Sequence, residues 1–75
     1  MGGERLEVVM VSFDERRGYV ASHPELPTIT ALSLAVLRRR VEELLIGEDL
    51  EIRLVLDHAA RLERDRRRQQ AQLAR

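Results

Sequence analysis

Apolar residues alternate along Glu4 to Phe13, but on both sides: Leu6, Val8 and Met10 fall on one face, Val9, Val11 and Phe13 on the other. A strand with two apolar faces reads as central, covered by a helix on one side and by a partner chain on the other. Asp14-Glu15-Arg16-Arg17-Gly18 is an exposed hairpin loop, with Gly18 available for positive φ. Tyr19 to His23 then return antiparallel, and Pro24 and Pro27 remove two backbone donors and force an elbow.

Beyond the elbow the period changes. Leu34, Leu37, Val41, Leu44 and Leu45 recur at three- and four-residue spacing, opposite Arg38, Arg39, Glu42 and Glu43. That pattern predicts a helix from Leu34 to Ile46, with Ser33 as N-cap and Gly47 at its end. Leu50, Ile52, Leu54 and Leu56 alternate with Glu51, Arg53 and Val55, so another strand follows.

From Asp57, a candidate N-cap, the chain is helix-forming but poor in large apolar groups, with only Leu62 and Leu73 supported by alanines. Glu63 to Arg67, and Asp65 to Arg68 or Gln69, are spaced as surface ion pairs worth a few tenths of a kcal/mol each. This segment is expected to fray toward Arg75, and Met1 to Gly3 to be loose.

The expected architecture is α+β. A small antiparallel three-stranded sheet with one packed helix, ββαβ, occupies residues 1–56, and a charged C-terminal helix or tail occupies 57–75. The last strand lies beside the first, giving the order two-one-three with every neighbour antiparallel.

Composition adds an expectation of association. Seventy-five residues without cysteine form one small domain with neither a disulfide nor a thiolate zinc site to reinforce it. A homodimer or higher oligomer is expected. Apolar residues on the uncovered sheet face would ordinarily be covered by a second copy, or in the less common case by a different protein. Addition of a strand at a sheet edge serves either. No apolar run approaches a membrane span and no leader pattern is present at the N-terminus, so a cytoplasmic protein is expected.

Charge is balanced overall, but Met1 to Leu56 hold ten acids and seven arginines, and Asp57 to Arg75 three acids and six arginines. Arg61, Arg64, Arg67 and Arg68 share one broad helical face, which makes DNA or RNA binding an alternative function. Interleaved Glu63 and Asp65 and the lack of aromatic residues for base stacking beyond Tyr19 and Phe13 favour a solvated face instead. In Arg38-Arg39-Arg40 the three side chains leave the helix in different directions.

Catalysis finds little support. His23 and His58 are the only histidines, and neighbouring Ser22 and His23 point to opposite faces of a strand. Phosphate loops, metal-ligand spacings and carboxylate dyads are absent from the sequence, so neither an enzyme nor a cofactor is expected.

One family shares this order of features. The strand end and hairpin Phe13 to Gly18, the strand entry Gly18-Tyr19-Val20-Ala21, the elbow Pro24-Glu25-Leu26-Pro27 and the amphipathic Leu34 to Leu45 together resemble the HicB-like antitoxins. Thr28 stands where that family usually has glycine, and Ala35-Val36 where it has an acidic pair. Asp57 to Arg75 is too short for the family's complete DNA-binding module, so DNA autoregulation is not carried over. The resemblance implies a small sheet-helix domain that oligomerises and neutralises a HicA-like RNA-cleaving toxin, or an orphan self-assembling domain that kept only the fold. Tyr19, His23 and Glu25 at the elbow, with the exposed strand residues, are the candidate partner-binding positions.

Overall fold

The computed structural model describes residues 5–45 and 50–73. The expected loose start, Gly47 as the residue after the helix, and Ala74 and Arg75 lie outside them. The helix predicted to reach Ile46 already ends at Leu44, where Leu45 leaves helical geometry (φ −96°, ψ 86°) as the C-cap and donates its N–H to the Val41 carbonyl. The elements are β1 (Arg5–Asp14), β2 (Gly18–Ser22), β3 (Ile29–Ala31), α1 (Leu34–Leu44), β4 (Leu50–Leu56) and α2 (His58–Leu73). The fold is α+β: a four-stranded mixed sheet in the order β3-β2-β1-β4 carries two helices.

Two expectations are corrected together. The sheet has four strands rather than three, because Ile29-Thr30-Ala31 pairs antiparallel with β2 instead of leading directly into the helix. Each added strand reverses the direction of the chain, so β4 runs parallel to β1 rather than antiparallel. The expected neighbours survive: β1 is interior, with β2 on one side and β4 on the other.

Local chemistry accounts for the turns and helix starts. In the hairpin, one carboxylate oxygen of Asp14 accepts from the Arg16 N–H at 2.7 Å and the Arg17 N–H at 3.4 Å, and Gly18 takes φ 87° to re-enter the sheet. At the elbow the Leu26 N–H closes a turn onto the His23 carbonyl at 3.2 Å. Ser33 caps α1 as expected, accepting from the Val36 N–H at 3.2 Å. Asp57 caps α2, accepting from the Ala60 N–H at 2.9 Å, and its own N–H extends the ladder to the Val11 carbonyl at 2.8 Å.

Register decides which face of β1 is the core. Val11 lies opposite Ala21, Phe13 opposite Tyr19, and Tyr19 opposite Ala31, so these side chains share one face. With Val9, Ile29 and Ile52 they meet Leu37 and Val41 of α1 and Ala60 of α2 in a single cluster. Two helices therefore pack on the sheet where one was expected. Leu37 and Val41 are fully buried on α1, and the half-buried Leu34 and Leu45 border them. Among the described residues no helix is long and apolar enough to cross a membrane.

Candidate interaction surface

Among the described residues the opposite face of the sheet carries no helix or strand, since both helices pack on the inner one. Leu6, Val8 and Met10 point outward in succession along β1 and are 50%, 44% and 48% exposed. Beside them on β4 are exposed Glu51 opposite Leu6, exposed Arg53 opposite Val8, and half-buried Val55 opposite Met10. The result is an apolar row bordered by one acid and one base.

The three elbow candidates do not converge. Tyr19 is 1% exposed and belongs to the core, where its ring meets Phe13 edge to face at 5.3 Å between centroids. His23 is held inward: its Nδ1 accepts from the Glu25 N–H at 3.1 Å, which leaves the ring proton on Nε2 to be donated to Glu7 at 2.9 Å. Only Glu25 is exposed. Bonding to Arg5 first, and to His23 second, holds the Glu7 carboxyl below the usual carboxylate range.

The C-terminal arginines also separate. Arg67 turns onto the sheet, its guanidinium 4.9 Å from the Tyr19 ring centroid and 5.8 Å from that of Phe13. It donates at 2.6 Å to both Glu63 and the Leu32 carbonyl, and so ties α2 to the chain entering α1. Arg64 pairs with its neighbour Asp65 at 3.2 Å. Arg61 and Arg68 are exposed. The four arginines expected to form a face are thus divided between a half-buried contact over the Phe13 and Tyr19 rings, a local pair and solvent.

Glu63 is the residue that sequence spacing undervalued. It is 7% exposed, and Arg66 donates twice to its carboxylate, at 2.6 and 3.0 Å, while Arg67 donates once. The bond to Arg66, then that to Arg67, holds the carboxyl below its ordinary range. No local signal marks it, because its burial depends on α2 lying over Tyr19. The expected pairing of Asp65 with Arg68 or Gln69 is replaced by the contact with Arg64.

Acid sensitivity follows. Asp14, Asp57 and Glu7 share the depressed state of Glu63, each bonded as the anion in the fold. Their unfolded forms take up protons first as pH falls, so the stability they contribute is complete above the unfolded values, about pH 4–4.5, and is lost below them. Urea midpoints are expected to hold steady from pH 8 to 6 and to fall steeply below pH ~4.5. In Glu63→Gln the fall should be shallower, and the same slope in both proteins would remove Glu63 from the account.

Among the described residues no group of three or more His, Asp or Glu side chains is placed to hold a metal ion. Comparison of the chain with protein-family models, characterised proteins and solved structures gives no match.

Proposed function

We propose that this chain is a non-enzymatic, HicB-like protein-binding domain, organised around the outer face of its sheet. The observation that carries the proposal is the row Leu6, Val8 and Met10, three large apolar side chains about half exposed on an interior strand. Such a row is costly in water and is the ordinary mark of a protein contact. The order of hairpin, Pro24 to Pro27 elbow, capped helix and final strand supports the HicB-like version. On that version the heterologous partner is a small HicA-like RNA-cleaving toxin, and the setting is cytoplasmic.

Tagged protein recovered from its native cells should bring with it a small RNase-like partner. Co-expression with that partner should restore growth and preserve cellular RNA. If no such protein is recovered and a toxin encoded beside it remains fully toxic, the antitoxin version fails. Nucleic-acid binding through α2 is the less favoured reading, because Arg67 is held over the Tyr19 and Phe13 rings and Arg64 is paired with Asp65.

A further inference from the structure

The sheet has four boundaries at which another chain can dock, and the described residues occupy three. Both helices cover the inner face. The two edges are also capped. Val11 directs its carbonyl to β4, so alternate β4 residues, including Ile52, direct theirs to the open edge. Arg38 of α1 donates to the Ile52 carbonyl at 3.3 Å. At the far edge the same alternation turns Thr30 of β3 outward, and Arg40 donates to its carbonyl. Arg38 and Arg40 leave α1 on opposite flanks, one serving each edge. Strand addition at either edge must displace an arginine, whereas the outer face meets no such obstacle.

We infer that the outer face of the sheet is a homodimer interface, in which two copies pack face to face about a two-fold axis. This rests on the protein-binding reading and assigns the apolar row to a second copy of the chain. The charges select that occupant. An acidic partner would be opposed by Glu51 and a basic one by Arg53, whereas a second copy satisfies both. A two-fold axis perpendicular to the strands, at the level of Glu7 and Ile52, sets Glu51 over the partner's Arg53 and Leu6 over the partner's Val8. Each contact is then made twice, as an isologous interface requires. Packed sheets lie about 10 Å apart, a gap that side chains of this length fill from both sides. A heterologous partner of the proposed function competes with the second copy for this same face.

Sedimentation of the purified full chain, with no other protein present, tests the inference. The expected species has twice the 8.7 kDa chain mass. Val8→Glu puts a charge in the centre of the interface while giving Arg53 an intramolecular partner across the strands, so the monomer should keep its circular dichroism. Association should weaken roughly thirtyfold or more, as for a central interface residue. Leu6→Gln is the second variant, expected to weaken association in the same direction. Glu51→Arg alone should weaken the dimer, and adding Arg53→Glu should restore it. A wild-type chain that sediments as a monomer, or a folded Val8→Glu protein that associates like wild type, overturns the inference. A dimer altered by Arg38→Ala but by neither face variant would locate the contact at the β4 edge and overturn it equally. Failure here leaves the co-purification experiment intact, since that recovers a different protein.

Discussion

Replacing Gly18 with alanine is expected to lower stability by about 2–5 kcal/mol, the sum of backbone strain and a steric clash. Gly18 has φ 87°, a region that L side chains rarely adopt. A Cβ added there would lie 2.6 Å from the Ala31 carbonyl oxygen and 3.2 Å from its carbon, both backbone atoms that cannot turn aside. Strain alone costs roughly 1–2 kcal/mol. Forcing β3 away from β2 adds about 1–3 kcal/mol. A domain of this size has about 4–11 kcal/mol in all, so the variant should unfold at a much lower urea concentration, by about 2 M or more. Gly18→Asn separates the causes, because asparagine tolerates positive φ but still carries a Cβ. Recovery in Asn would identify strain, and an equal loss would identify the clash. A Gly18→Ala protein within ~0.5 kcal/mol of wild type, the range of an ordinary surface substitution, would refute both.

Gly18 also shows how far the sequence could be read. Its place in a hairpin was legible, because Asp14 and a glycine four residues apart bracket a polar loop between alternating strands. Its second task was not. The close approach of Ala31 exists only because β3 forms, and Ile29-Thr30-Ala31 is too short for alternation to register between Pro27 and Ser33. Missing that strand reversed the predicted direction of β4 while leaving its position beside β1 correct. Ser33 and Asp57 were legible as caps because capping is a local arrangement of a side-chain oxygen and N–H groups two or three residues ahead.

The candidate surface was legible only as a pair of alternatives. Leu6, Val8 and Met10 are as apolar as Val9, Val11 and Phe13, and nothing within β1 distinguishes the two sets. What distinguishes them is the pairing of Val11 with Ala21 and of Phe13 with Tyr19, which joins the second set to the face that receives Leu37, Val41 and Ala60. The elbow candidates went astray for a related reason. An aromatic residue beside a hairpin looks available in sequence, but Tyr19 lies on the inward phase of β2 and Arg67, 48 positions later, closes over it.

That burial makes Tyr19→Ala the second large effect, an expected loss of about 3–5 kcal/mol, as for other aromatic side chains removed from a core. The ring is fully enclosed, and its removal also deprives Phe13 of its edge-to-face partner and Arg67 of the nearer of its two rings. Arg67 would keep Glu63 and the Leu32 carbonyl, so α2 should stay attached at its middle while the sheet beneath it loosens. Tyr19→Phe keeps the ring and both aromatic contacts, and its loss should stay below about 1 kcal/mol, since such pairs depend on the ring. Urea unfolding of the two variants, with partner capture measured on each, distinguishes core from contact residue. A core role predicts that Ala loses stability and binding together while Phe keeps both. If Tyr19→Ala instead remained as stable as wild type and lost only its partner, Tyr19 would be acting at the surface, and the packing of α2 over the sheet described above would be wrong.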